Sequence, residues 1–488
     1  MHYLFPFLII FLMACSQTKP PEPYGPIPSE RQLQHHKMEF YGFIHFNMNT
    51  FIDQEWSDGS TNPDKFHPNN LDCEQWVKIA KKAGMKGLIL TTKHHDGFCL
   101  WPSDYTDYSV ESSKWRDGKG DVVRELADAC KKHGLKMGLY LSPWDRNHPE
   151  YGNQKYITYY PNQLRELLTE YGPLFEVWFD GANGGDGYYG GANETRKIDR
   201  ETYYGWEKTW EMIRELQPDA RIFSDSGPDL RWVGNEKGFA GQTNWCLLNR
   251  DKMYPGYPKF KQLQSGHENG SHWVPAEVDV SIRPGWFYHA SEDDDVKSVD
   301  DLLEIYYNSV GRNASFLLNL PVDDRGLVHP NDRDTLFKYS EALQECFSNP
   351  IEIGDNIQAT NIRGNSRKFA AENLFDSDVD SYWATDDDIK QASVTVNFDK
   401  ETVLDQILFQ EYIPLGQRIK EFNIEAKINN EWQEISDGTT IGYKRILKFP
   451  QVTTSQVRIN FIDSKACPVI SEIKFYKLPK KYEVSGNM

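Results

Sequence analysis

The sequence predicts an α/β chain: a parallel (β/α)8-like, TIM-type barrel, irregular in its second half, followed by an all-β sandwich. Three observations lead there. Between about residues 35 and 345, short apolar runs alternate with amphipathic helical stretches, the signature of a parallel sheet covered by helices. After about residue 350 the helical periodicity stops and short strands follow one another closely. The length, 488 residues, exceeds one ordinary domain, so two or three are expected.

The elements come in order. Strands are expected at residues 40–46, 87–93, 136–142, 174–180, 221–225, 274–281 and 315–320, each rich in β-branched, aromatic or aliphatic residues. Helices are expected between them, for example at 73–83, 122–133, 203–216 and 299–310. These strands fall one short of eight, yet the length of the segment suits a closed barrel better than an open sheet. The helical repeat weakens in the second half. Beyond it, strands at 392–398, 406–411, 421–426 and 456–461 form a sandwich of ordinary domain size. The barrel domain is thus expected to span 35–348 and the sandwich 349–480.

Residues 5–13 form an apolar run of signal-peptide length, closed by Leu12-Met13-Ala14-Cys15. That ending resembles a bacterial lipobox, although no Lys or Arg precedes the run, only His2. The expectation is a lipoprotein-type signal over residues 1–15, a Pro-rich tether over 16–34, and export to the periplasm or cell surface with a lipid anchor at Cys15. No later segment is apolar enough to span a membrane. Cys73, Cys99, Cys130, Cys246, Cys346 and Cys467 are widely spaced without a CxxC, which suggests neither a metal site nor a disulfide framework. A formal charge of −18 argues against a nucleic-acid partner. Aromatic residues make up 14% of the chain, including 14 Trp and 26 Tyr. Such rings suit flat stacking on sugars, and aromatic-rich cores also use them.

Polar residues gather where the barrel strands end, which is where barrel enzymes carry their chemistry. The run Leu174-Phe175-Glu176-Val177-Trp178-Phe179-Asp180-Gly181 delivers a carboxylate to the junction of a buried strand and a glycine turn. His45 ends the first strand, Thr91 to Phe98 with His94 and His95 the second, and Tyr140 to Trp144 the third. An Asp in such a place also serves as a helix cap. Histidines with Asp can bind zinc or hydrogen-bond sugar hydroxyls. Adjacent His94 and His95 would point to opposite faces of an extended strand, and no HExxH pattern occurs, which disfavours the metal. Glycoside hydrolysis would need a second carboxylate. Glu236, between glycines in a loop, and Glu277, on a strand, are both candidates, and composition does not choose between them.

GFIHF, TTKHHDGF, the Trp101-Pro102-Ser103 triplet, EVWFDGA, GNEKG and SIRPGWFYH together resemble the family 29 glycoside hydrolases, the α-L-fucosidases, over about residues 35–345. The resemblance implies a (β/α)8-like barrel and a retaining double displacement without a catalytic cofactor. Asp180 matches the family's nucleophile. The RWVGNE context resembles the subgroup that prefers branched α-1,3/1,4-linked fucose, and there Glu236 matches the acid/base. His45, Glu55, Trp56, His94, His95, Tyr140 and Trp286 match positions that contact fucose. Hydrogen-bond donors from His45, His94 or Tyr140 should then hold the Asp180 pKa low, while that of Glu236 should be raised. Trp286 or Phe287 would wall the fucose methyl. The partner implied is a fucosylated oligosaccharide or glycoconjugate. A fucose-binding surface lipoprotein without catalysis is the competing class, and the presence of both carboxylates speaks against it. The C-terminal part, through 371–378, Tyr382-Trp383 and 471–473, resembles the discoidin or factor 5/8 type C sandwich. There Asp376, Asp378, Ser381 and Glu472 match a structural calcium site, although an acidic turn of that kind is common in its own right.

Overall fold

A computed structural model of the chain describes residues 18–354 and 356–483. The segment expected to be a signal, with Cys15, lies outside the described residues. Eight parallel strands close into a barrel: β1 (Phe40–His45), β2 (Gly87–Lys93), β3 (Lys136–Leu141), β4 (Glu176–Trp178), β5 (Arg221–Ser224), β6 (Leu230–Trp232), β7 (Ala276–Ser281) and β8 (Ala314–Pro321). Neighbours in sequence are neighbours in space, and β8 returns to β1 with Phe40 opposite Phe316 and His45 opposite Pro321. Nearly every strand residue is buried, because one face packs inside the barrel and the other against the outer layer.

The strand missing from the expected set is β6. It comes after β5 and residues 225–229 with no helix between, and the two still pair in parallel, Phe223 with Leu230 and Ser224 with Arg231. Three residues long and centred on an arginine, it carries no periodic signal. No α-helix succeeds it either; a long excursion runs from Val233 to Pro275. Helices Cys73–Lys82, Val122–His133, Tyr156–Glu170, Trp206–Leu216, Val299–Asn308 and Pro330–Phe347 cover the remaining strands. Arg231, fully buried, organises the excursion: its Nε donates to the Leu263 carbonyl at 2.9 Å and an Nη to Asn244 Oδ1 at 2.7 Å. Those partners meet the desolvation cost of the buried guanidinium.

Where the barrel lacks helices, other parts of the chain cover it. The sandwich contributes Gln417, whose Oε1 accepts from the Cys246 N–H at 2.8 Å, and Thr440, whose Oγ1 accepts from the Asn244 N–H at 2.8 Å. Residues expected to act as a tether are also engaged. The Lys19 carbonyl accepts from Arg363 at 2.6 Å, and the Tyr24 N–H donates to Leu415 at 3.0 Å. Glu30–His36 is a helix with a Ser29/Gln32 capping box. Its Gln32 amide donates to the Asp229 carbonyl at 3.0 Å, beside the β5–β6 connection.

The sandwich is a single antiparallel sheet built on two long strands, Ala392–Glu411 and Arg445–Ser464, whose register shifts let them fold over a core that includes Trp383, Phe409, Phe422 and Phe461. An ion pair fastens it to the barrel: Lys444 Nζ lies 2.6 Å from Glu39 Oε1, with the Tyr443 hydroxyl at 3.2 Å, and the side chains are only 12% and 18% exposed. Burial pushes the Glu39 carboxyl up, but Lys444, with Lys86 and the Tyr443 hydroxyl, outweighs it and the net shift is downward from 4.5. Lys444→Ala should therefore cost about 2 kcal/mol at neutral pH, measured as a fall in calorimetric stability. A depressed carboxylate stabilises above its unfolded pKa, so the difference from wild type should shrink as pH falls below 4.5.

Candidate functional site

The barrel interior is filled by aromatic rings. Trp178 stacks on Phe223 with centroids 4.2 Å apart and planes 9° apart, and on Tyr140 at 5.4 Å, with Phe43 at 5.2 Å. Above this stack, at the C-terminal ends of the strands, opens a cavity of about 440 Å³, within the range of small-molecule sites. Its lining includes His45, Glu55, Trp56, His94, His95, Tyr140, Asp180, Glu236 and Trp286, so every residue matched to sugar contact or catalysis reaches one pocket.

Asp180 stands two residues past β4. Its Oδ1 accepts from the Ala182 N–H at 2.7 Å and its Oδ2 from the Tyr140 hydroxyl at 3.1 Å, while 26% of the side chain remains exposed to the pocket. Burial dominates and pushes its pKa up from 3.8, with these two donors opposing. The expectation of a lowered pKa is thus corrected. His45 and His94 do not donate to Asp180; only His95 Nε2 comes near, at 3.7 Å.

The three imidazoles are held as neutral rings with assignable tautomers. Asn319 donates through Nδ2 to the Trp286 carbonyl at 2.9 Å, so its Oδ1 accepts Nδ1–H of His45 at 2.8 Å. Ser142 Oγ donates to the Trp144 carbonyl at 2.7 Å and therefore accepts Nδ1–H of His95 at 2.7 Å. Asn49 accepts from Ser57 N–H through Oδ1 and donates through Nδ2 to the Glu55 carbonyl, so it also donates to His94 Nδ1, at 3.4 Å. His45 and His95 then offer Nε2 as an acceptor, and His94 carries Nε2–H as a donor. Burial lowers His45 and His95 from 6.5 to about 3 and His94 well below its ordinary value. Directional, uncharged donors and acceptors suit a neutral polyhydroxylated ligand. Contrary to the opposite-face expectation, His94 and His95 both line the pocket with ring centroids 4.1 Å apart, because β2 ends at Lys93 and the pair occupies the turn beyond.

Glu236 sits exposed on the loop after β6, with Trp286 Nε1 donating to its Oε2 at 3.3 Å. Desolvation, then the charges of Asp180 and Glu55, raise its pKa from 4.5 against that bond. Glu277 is elsewhere. Fully buried below the pocket, it accepts from the Tyr41 hydroxyl and from Trp178 Nε1 at 2.8 Å, and holds the Trp178 ring in place. Glu55 lines the pocket, but its oxygens accept the Trp286 and Phe287 N–H groups at 3.0 Å each and meet His289 at 2.8 Å. It thereby fixes the loop that presents Trp286 and Phe287. Trp56, 54% exposed, stands at the rim beside His95.

Sequence reasoning misses Asp225, at the end of β5, and Asp279, on β7, which also line the cavity. Burial raises Asp225 to about 7 and Asp279 well above the usual range. It also misses Asn49 and Asn319, which set the imidazole tautomers. The strand-end rule that finds His45 and Asp180 finds Asp225 and Asn319 when extended to the fifth and eighth strands.

In the sandwich, Asp376, Asp378 and Ser381 share one turn. Ser381 Oγ and the Asp378 N–H donate to Asp376 at 2.7 and 2.8 Å, while Glu472 on the strand Val469–Tyr476 is ion-paired with Lys474. Among the described residues no group of three or more His, Cys, Asp or Glu side chains is placed to hold a metal ion.

A family model described as alpha-L-fucosidase matches residues 24–345, and an F5/8 type C domain model matches residues 356–473. "Alpha-L-fucosidase 1" of Arabidopsis thaliana is 43% identical over 97% of this chain and 93% of its own length. A crystal structure of a family 29 glycoside hydrolase from a rumen bacterium is 46% identical, with a TM-score of 0.84, covering 96% of this chain and 79% of that one. A Ruminococcus gnavus family 29 fucosidase solved in complex with fucose is 31% identical, with a TM-score of 0.85, covering 96% and 98%.

The hydrogen-bond networks predict that His45, His94 and His95 stay neutral from pH 8 to pH 5, with Nδ1–H on His45 and His95 and Nε2–H on His94. Long-range ¹⁵N–¹H correlation of the imidazoles reads both properties; titration of any of the three near 6.5 contradicts the assignment.

Proposed function

The chain belongs to the α-L-fucosidase family of glycoside hydrolases, and on that premise we propose that it is a retaining exo-enzyme removing terminal α-1,3/1,4-linked L-fucose from branched, Lewis-type glycans. The observation that carries the mechanism is the placement of Asp180 and Glu236 in one cavity with different surroundings. Asp180 has two fixed donors and is the nucleophile. Glu236 has its pKa raised and stands on a loop, and it is the acid/base.

In the first step an Asp180 oxygen attacks the anomeric carbon as Glu236 passes its proton to the departing glycosidic oxygen, leaving a fucosyl ester on Asp180. In the second, Glu236, now a carboxylate, takes a proton from water; the water oxygen attacks the anomeric carbon and Asp180 departs as carboxylate. Each carboxyl returns to its starting form. His45, His94 and His95 orient the sugar hydroxyls through their fixed tautomers. The rings of Trp286 and Phe287 supply the apolar wall that a methyl in place of a hydroxymethyl requires, worth on the order of 0.8 kcal/mol. Export with a lipid anchor at Cys15 belongs to the same reading and is tested by metabolic labelling with a palmitate analogue, which Cys15→Ala should abolish.

Asp180→Asn should lower kcat on a Lewis-type trisaccharide by about a thousand-fold or more while substrate still binds. Glu236→Ala should lose about 10²–10⁴-fold on the same substrate. With an activated aryl fucoside, added azide should restore turnover of Glu236→Ala and yield fucosyl azide of retained configuration. Absence of azide rescue removes Glu236 from the acid/base role.

A further inference from the structure

One surface strap, residues 254–260, contributes Gly256, Tyr257, Pro258 and Phe260 to the pocket lining. At its centre, Gly256 has a left-handed backbone (φ +80°), and its peptide groups are gripped from both sides. Its N–H donates to Asp225 Oδ2 at 2.8 Å, and its carbonyl accepts from Arg200 Nη1 at 3.4 Å. There is no room for a side chain: a Cβ on Gly256 would lie 2.8 Å from the Gly181 carbonyl oxygen and 2.9 Å from Asn183 Nδ2. Asp225 in turn packs directly against Gly181. The strap is thus tied to the ends of β4 and β5, and so to the segment that carries Asp180.

Beyond Gly256 the strap is aromatic and open. Tyr257, Pro258 and Phe260 line the cavity together with Trp232, whose ring centroid is 5.6 Å from that of Phe260. Phe260 is 39% exposed, one of few large apolar side chains left in solvent, and Trp56 on the same rim is another. Glu236 belongs to the loop that begins just after Trp232. Since the acid/base must touch the departing oxygen, the group that departs lies on the Trp232–Phe260 side. The faces of pyranose rings carry C–H groups and stack on such aromatic surfaces. Arg200 is the one lysine or arginine in the lining among the described residues.

We propose that Asp225 and Arg200 are positioning residues that set leaving-group specificity: by clamping the two sides of Gly256 they hold the 254–260 strap as a stacking wall for the sugars from which fucose is released, and so favour a branched oligosaccharide over a small aglycone. This rests on the fucosidase reading above, with Glu236 at the departing oxygen. The clamp restrains the strap before substrate arrives, so the ordering cost of the loop is not charged against binding.

The test compares kcat/KM on a Lewis-type trisaccharide with kcat/KM on a chloronitrophenyl fucoside for wild type, Arg200→Ala, Arg200→Lys and Gly256→Ala. Arg200 is exposed at the pocket mouth, so its variants retain the fold even where Gly256→Ala does not. Arg200→Ala should lose about ten-fold more on the trisaccharide than on the aryl fucoside, chiefly through KM, and Arg200→Lys should recover most of that difference. Equal losses on the two substrates, or none, overturn the proposal. A wild-type enzyme that releases fucose from neither substrate overturns the underlying fucosidase reading instead, which keeps the two failures apart.

Discussion

The Asp180 carboxylate hangs from two donors, the Ala182 N–H and the Tyr140 hydroxyl, in a pocket that otherwise disfavours charge. The rest of the site depends on that constraint. Glu55, Asp180, Asp225, Glu236 and Asp279 all line one cavity; burial pushes the three aspartates upward, and partial desolvation with the neighbouring charges of Asp180 and Glu55 raises Glu236. Asp180 differs in having two fixed donors on a rigid strand end, whereas Glu236 has one long indole contact on a loop. Two carboxyls in one pocket thereby differ in their hydrogen-bond surroundings, although both lie above their ordinary values. The imidazoles fit the same scheme. Charged, they would pair with the carboxylates; neutral and tautomerically fixed, they are left to a hydroxylated ligand.

The irregular part of the barrel serves this site. A regular helix after β6 would occupy the space in which the Val233–Pro275 excursion instead carries Glu236 and the aromatic strap to the pocket rim. The cost is an exposed flank of the barrel. Arg231, the Glu30–His36 helix and the sandwich cover it, the last through Gln417, Thr440 and the Glu39–Lys444 pair. The sandwich thus completes the barrel's outer layer as well as succeeding it in sequence.

How much of this is legible in the sequence depends on where periodicity survives. Seven strands announce themselves as apolar runs, and Asp180, His45 and Tyr140 as polar residues at their ends. β6 does not, because three residues around a buried arginine have no pattern, and its partner strand is reached without a helix. The opposite faces expected of His94 and His95 assume an extended chain beyond Lys93, where the strand in fact turns. Glu236 and Glu277 cannot be separated by composition, since only the fold puts one on the pocket rim and the other beneath Trp178. The Asp180 pKa comes out with the wrong sign because donors can be read from a sequence while desolvation cannot. Asp225 and Asn319 are within reach of the strand-end rule, once it is carried past the fourth strand.

The central claim is that Asp180, of all the carboxylates in this pocket, bonds to the anomeric carbon. Incubation with 2-deoxy-2-fluoro-fucosyl fluoride, followed by proteolysis and peptide mass mapping, tests it directly, because the fluorine slows hydrolysis of the ester and lets it accumulate. The expected result is one fucosyl adduct, on Asp180. An adduct on Asp225, Asp279 or Glu236 instead would contradict the account, as would rapid turnover of wild type with inverted product.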